Sequence, residues 1–256
     1  MGVFDSGVGG ISVLREIRAL LPGADLLYVA DSAHCPYGGK SYGEIRTRGM
    51  AIGRFLIDQG AQAIVVACNT ATAAAIDALR AHYRDMPFVG MEPALKPAVA
   101  ATRSGVVGVL ATGATLGGER FAGLVERYSD GIQLLTQACP GLVEQVEAGD
   151  LTSHETRRLL EHYVRPLLAR GADTLVLGCT HYPFLRSMLF ELFGPHVALI
   201  DTGAAVARQT ARVVPDEAPA GEGSTRFYSS DIAVAETIGR LWGTPSEVTL
   251  LPDHSS

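Results

Sequence analysis

The chain is 256 residues long, with 47% hydrophobic residues, 19% charged residues and a formal net charge of −6. That composition excludes a disordered chain, and an acidic balance without a basic cluster argues against nucleic acid as the main partner. No apolar run approaches the roughly 18 residues of a membrane span, and no leader precedes the first strand-like segment. A soluble, cytoplasmic protein without a membrane partner is expected.

In chain order, short β-branched runs alternate with helical patterns. Gly2–Asp5 reads as a first strand, after which Ile11, Leu14, Ile17 and Leu21 form an apolar stripe that stops at Pro22-Gly23. A second strand is expected over Asp25–Ala30, then a helix that Ser41 and Glu44 open as a capping box and that ends near Gly60. Further strands are expected over Ala63–Ala67, Phe88–Gly90, Val106–Leu110, Gln133–Gln137, Thr174–Leu177 and Val197–Ile200. Thr152 with Glu155 reads as another capping box, for a helix ending near Gly171. Pro215–Ser224 reads as a polar loop, and beyond it Thr225–Ser229 and Val248–Leu251 read as strands flanking a helix capped by Asp231. Several strands are apolar on both alternating faces, as in a parallel sheet covered by helices on both sides. The fold class is therefore α/β with mainly parallel sheets.

An internal echo suggests duplication. Gly2-Val-Phe-Asp-Ser-Gly matches Gly108-Val-Leu-Ala-Thr-Gly, and Val65-Val-Ala-Cys-Asn-Thr matches Val176-Leu-Gly-Cys-Thr-His at nearly the same offset. Both matches fall at strand ends, which implies two pseudo-symmetric halves. In parallel sheets, ligands gather outside the carboxyl ends of the strands, so the residues just past those ends carry the candidate chemistry.

After the first strand come Asp5, Ser6 and the glycines Gly7, Gly9 and Gly10. These glycines leave N–H groups free to meet an anion, although a plain tight turn accounts for them equally well. A dinucleotide fingerprint fails because Ser12 stands where its third glycine belongs. Asp31-Ser32 leads into Cys35-Pro36-Tyr37-Gly38-Gly39-Lys40-Ser41, which is no phosphate loop because Ala33 replaces the first glycine. Tyr37, between proline and glycine, either caps a ligand or packs on the surface.

The four cysteines, Cys35, Cys68, Cys139 and Cys179, are too scattered for a disulfide scaffold, and without a Cys-x-x-Cys pair they suggest no structural zinc. Cys68 is followed by Asn69-Thr70 and a small-residue helix start; Cys179 is followed by Thr180-His181 and by Pro183 opening a helix. A helix amino terminus stabilises a thiolate, yet a single such cysteine is as readily a small core residue. Two at equivalent points of duplicated halves point to paired acid–base groups. Inversion of a stereocentre needs such a pair, one to remove a proton and one to return it from the opposite side. A free thiol is roughly 3% thiolate at pH 7, so it needs an activating neighbour. Asp5 or Asp31 is expected to serve Cys68, and His181 to serve Cys179.

Five segments in order carry a resemblance: Val3-Phe-Asp-Ser-Gly-Val-Gly-Gly, Asp31-Ser-Ala-His-Cys-Pro-Tyr-Gly, Ala67-Cys-Asn-Thr-Ala, Glu92-Pro-Ala-Leu-Lys-Pro-Ala and Leu177-Gly-Cys-Thr-His-Tyr-Pro-Phe. They resemble those of the glutamate racemases, within the aspartate/glutamate racemase superfamily. The resemblance implies two α/β domains, residues 1–93 with 209–256 and residues 94–208, and an active site in the cleft between them. It implies cofactor-free, metal-free interconversion of L- and D-glutamate by Cys68 and Cys179, in a possible homodimer whose D-glutamate supplies peptidoglycan synthesis. Catalytic roles extend to Asp5 and His181. Substrate contacts fall on Asp5, Ser6, Tyr37, Gly38, Asn69, Thr70, Thr180 and His181, with Asp31, Ser32 and Glu147 as further positions. Aspartate or another acidic substrate is the alternative, and a two-lobed binding protein for an acidic metabolite is a third reading. The lysines offer no obvious rival chemistry: Lys40 and Lys96 are the only two, and neither sits like the Schiff-base amine of a pyridoxal enzyme.

Overall fold

The computed structural model describes residues 1–214 and 222–252. The first half contains β1 (Gly2–Asp5), α1 (Ile11–Leu20), β2 (Leu26–Ala30), α2 (Tyr42–Asp58), β3 (Ile64–Val66), α3 (Asn69–His82) and β4 (Phe88–Val89). The second contains α4 (Leu95–Ala101), β5 (Val106–Ala111), α5 (Gly113–Leu116), α6 (Glu119–Tyr128), β6 (Gln133–Ala138), α7 (Leu142–Glu147), α8 (His154–Ala169), β7 (Thr174–Leu177), α9 (Arg186–Phe193) and β8 (Ala198–Ile200). The chain then passes through α10 (Gly203–Val213), which packs on α1, to β9 (Thr225–Ser229), α11 (Ala235–Trp242) and β10 (Val248–Leu250).

All ten expected strands form, each end within one residue of its expected place. They build two parallel sheets, ordered β10-β9-β2-β1-β3-β4 and β6-β5-β7-β8. The run β2-β1-β3-β4 has the same order as β6-β5-β7-β8, so the internal echo corresponds to a repeated topology. The carboxyl-terminal strands β9 and β10 extend the first sheet beside β2. Strands β1, β2, β3 and β7 are buried at every residue, which requires apolar side chains on both faces and explains the unbroken β-branched runs. One apolar core runs beneath both halves, joining Val3, Leu14 and Tyr28 to Leu142, Leu177 and Leu185. A second core lies under α2 and α3, and a third on the α4 and α6 side of the other sheet. Among the described residues no helix is long and apolar enough to cross a membrane.

Helix starts test the local reading. Ser41 and Glu44 form the expected capping box on α2. At α8 the start moves by one residue: Ser153, not Thr152, accepts the Thr156 N–H at 3.2 Å. Asp150 accepts the N–H of this new N-cap, Ser153, at 3.0 Å, whereas Glu155, expected to accept the Thr152 N–H, instead pairs with Arg158. Asp231 caps a single 3₁₀ turn, Ile232–Val234, which then leads into α11. The polar stretch expected over 215–224 lies, apart from residues 222–224, outside the described residues.

Candidate active site

The carboxyl ends of β1, β3, β5 and β7 converge on one small cavity between the halves. Ser6, Tyr37, Gly38, Cys68, Asn69 and Thr70 line it from the first half, and Thr112, Cys179, Thr180 and His181 line it from the second. Its free space is about 10 Å³, room for about one water molecule, so the halves stand closed on each other.

Cys68 is the N-cap residue of α3, and its Sγ accepts the Ala71 N–H at 3.4 Å. The thiol donates to Ser6 Oγ at 3.8 Å, and the Ser6 hydroxyl donates to Asp5 Oδ1 at 3.2 Å. Asp5 is wholly buried and also accepts the Gly7 N–H and the Thr180 hydroxyl, both at 2.8 Å. Burial pushes its carboxyl up to about 6, while the charge on His181 and these donors hold it down. Burial, then the neighbouring Asp5 charge, pushes the Cys68 thiol up to about 12.

Cys179 differs from the expectation of a helix-start thiol. A 3₁₀ turn over Tyr182–Leu185 intervenes before α9, and the polar partner of Cys179 is the ring of His181, Sγ to Nδ1 at 3.6 Å. The opposite ring nitrogen, Nε2, meets Glu147 Oε1 at 2.5 Å, and Glu147 accepts the Val8 N–H at 2.7 Å. Burial opposes a charge on His181, but its bonds to Cys179, Cys35 and Glu147 outweigh this and raise it well above the usual imidazole range.

The glycine-rich turn after β1 thus meets the protein's own carboxylates: the Gly7 N–H donates to Asp5 and the Val8 N–H to Glu147. Its glycines also provide clearance. A Cβ at Gly7 would overlap the Glu147 carboxylate, and one at Gly9 would overlap the His181 ring. Tyr28 fixes the loop from below by donating to the Gly7 carbonyl at 2.7 Å, and Ser12 donates to the Gly9 and Thr180 carbonyls, both at 2.9 Å.

Asp31 lies away from both thiols. It is wholly buried, held by Arg48 through Nε at 2.9 Å and Nη2 at 2.7 Å, and accepts the Tyr37 hydroxyl at 2.6 Å. Burial works against its charge, but these bonds prevail and keep the carboxyl below its usual range. Asp31 and Arg48 therefore fix the Tyr37–Gly38 turn in the cavity wall. Ser32 does not line the cavity. Arg48 escaped the sequence reading; its signal is a cation at the edge of the buried α2 face formed by Ile45, Gly49 and Ile52. Arg48→Met should raise the Michaelis constant about tenfold with little change in kcat, and lower stability by about 3–5 kcal/mol by stranding a buried carboxylate. Steady-state kinetics and thermal melts check both; an unchanged KM would remove Arg48 from the site.

Two further features face a ligand. Asn69 is 5% exposed, yet neither its Oδ1 nor its Nδ2 has a partner among the described residues, a desolvation cost of about 1–3 kcal/mol that a bound polar group would relieve. Thr70, Thr112 and Thr115 share a hydroxyl cluster with contacts of 2.9, 2.9 and 3.3 Å. Thr112 and Thr115 were not anticipated, although Thr112 is the residue that the internal echo aligns with Ser6. Neither lysine lines the cavity, so it offers no amine for a Schiff base.

The family model described as Asp/Glu/Hydantoin racemase matches residues 10–210. A curated glutamate racemase from Pseudomonas aeruginosa is 57% identical over 255 residues, covering 97% of this chain and 96% of the relative. One from Pseudomonas entomophila is 60% identical over 257 residues, covering 98% and 97%. Among solved structures, the Escherichia coli glutamate racemase in complex with L-glutamate and the activator UDP-MurNAc-ala superimposes with a TM-score of 0.86 at 36% identity, covering 97% of each chain. The Francisella tularensis glutamate racemase in complex with D-glutamate gives 0.83 at 26% identity, covering 100% of this chain and 98% of that one.

Proposed function

The chain belongs to the Asp/Glu/hydantoin racemase family, and from that premise we propose that it interconverts L- and D-glutamate by passing the α-proton between Cys68 and Cys179. The observation that carries this reading is the placement of the two thiols on matching strands of opposite halves, in the wall of one closed cavity.

In one direction a thiolate removes the Cα proton while the thiol across the cavity delivers its own to the opposite face, and the reverse reaction exchanges the roles. Each thiol has its own route for resetting the proton. On one side, Ser6 links Cys68 to Asp5; on the other, His181 links Cys179 to Glu147. The high value of Cys68 means its proton is hard to remove while no cation lies beside it. The α-ammonium of the substrate supplies that positive charge, so the thiolate is favoured when substrate is present. Asn69, the threonine hydroxyls and the turn at Tyr37–Gly38 furnish hydrogen bonds for the carboxylates and the ammonium. Exclusion of water by closure protects the carbanion, and with room for so little, substrate entry requires the halves to part.

The D-glutamate produced would enter peptidoglycan synthesis, a role supported by the glutamate racemase relatives. The enzyme in heavy water tests the chemistry. Deuterium should appear at Cα of the product enantiomer from the first turnovers while recovered substrate stays protiated. Equal labelling of both from the outset would mean a single shared base, and no inversion of either glutamate enantiomer would overturn the substrate assignment.

A further inference from the structure

Cys35 and Cys139 are the thiols that the proposed reaction does not use, and of the two Cys35 lies beside its residues. It sits in the loop between β2 and α2, in the first half, half-buried against the common core. Its sulfur, a carboxylate oxygen of Glu147 and a ring nitrogen of His181 all lie within 4.8 Å of one another. We propose that Cys35, Glu147 and His181 form a binding site for a soft divalent cation of the zinc class, which clamps the two halves together and reversibly switches the enzyme off.

Thiolate, imidazole and carboxylate are the donors zinc prefers, at about 2.3, 2.0 and 2.0–2.2 Å. A tetrahedral ion with those bond lengths holds its donors about 3.5 Å apart; the three donors here lie within 4.8 Å of one another, and the 2.5 Å contact between His181 and Glu147 opens by about 1 Å to admit it. Two of the donors are already oriented. The Val8 N–H fixes the Glu147 carboxylate, and the ring of His181 is 1% exposed and wedged against Gly9. Bonds of this kind around a ligand set raise metal affinity. Three protein donors leave the fourth position for water, as in an open zinc site. Glu147 and Cys35 are both partly exposed, which gives the ion a way in from solvent. Binding releases the Cys35 thiol proton and the second imidazole proton to water, and a chelator reverses it.

The consequence for activity rests on the proposed role of His181 and Glu147 in resetting Cys179, because the ion withdraws both from that task. Binding itself does not depend on that role. It also joins Cys35 of the first half to two residues of the second, opposing the separation that substrate entry needs.

Titrating the intact, reduced protein with cobalt chloride should produce a near-ultraviolet thiolate-to-cobalt charge-transfer band that zinc chloride displaces. Zinc should inhibit glutamate inversion and EDTA should restore it. Cys35→Ser and Cys35→Ala should each lose the band and, measured against its own metal-free rate, need at least about tenfold more zinc for half-inhibition. Using both variants guards against a serine oxygen replacing the sulfur, or a misfolded protein. Absence of the band in the unaltered protein would overturn the proposal. So would a band and inhibition that survive in both Cys35 variants, since the ion would then sit on Cys68 and Cys179. The band needs no turnover, so a protein that binds cobalt through Cys35 but leaves glutamate unchanged would count against the racemase reading and not against the metal site.

Discussion

Cys68→Ser and Cys179→Ser should each slow glutamate inversion by about 10³-fold or more, about 4 kcal/mol of barrier, while sparing α-proton exchange in one enantiomer. A serine hydroxyl holds its proton too tightly to act as a base here, so the altered side of the cavity falls silent. The surviving thiol still faces its own enantiomer. It can remove the α-proton, exchange with solvent through its neighbour, and return a deuteron to the face it came from. The two variants should therefore be complementary: one washes deuterium only into L-glutamate and the other only into D-glutamate, without racemising either. Chiral chromatography with mass detection reads both quantities in one experiment. If either variant exchanged both enantiomers, or both variants exchanged neither, the thiols would not be independent bases.

Gly9→Ala should lower kcat by about 10²-fold although residue 9 touches no reacting atom. The added methyl would stand within 2.5 Å of His181 Cε1, and the ring is too enclosed to move aside without leaving Cys179 or Glu147. Overpacking of this kind also costs about 1–3 kcal/mol of stability. A double-mutant cycle separates displacement of the ring from general damage. In His181→Ala the space of the ring is vacant, so adding Gly9→Ala should cost little more. Additive losses in the double variant would show that the glycine acts through the loop and not through the histidine. Gly7→Ala should be milder, because the overlapping group is the end of a flexible glutamate side chain.

Much of the fold was legible because parallel strands buried on both faces must be written as continuous apolar runs, and because turns such as Pro22-Gly23 punctuate them. The thiol pair was legible because duplication places like residues at like strand ends. What stayed hidden depends on distance in three dimensions. Nothing local marks Glu147 as the partner of Val8, 139 residues away, or Thr180 as a donor to Asp5, 175 residues away. Asp31 looked like a candidate base because it follows a strand end, as Asp5 nearly does. Only the reach of Arg48 from α2 shows that its charge is already engaged. The start of α8 was misplaced for a similar reason: the motif identified a capping glutamate, but Asp150 lies closer to the bond that needed filling.

The two thiols occupy matching positions, but one is backed by a hydroxyl and a carboxylate and the other by an imidazole and a carboxylate. Mirror-image amino acids have the same free energy in an achiral solvent. Detailed balance then compels equal kcat/KM for the forward and backward conversions, however dissimilar the groups behind each sulfur. The dissimilarity can emerge only as a matched trade, in which the enantiomer that is held longer is also the one turned over more slowly. It governs how fast each antipode is drained when supplied alone at saturation, and has no influence on the even mixture at which the reaction comes to rest.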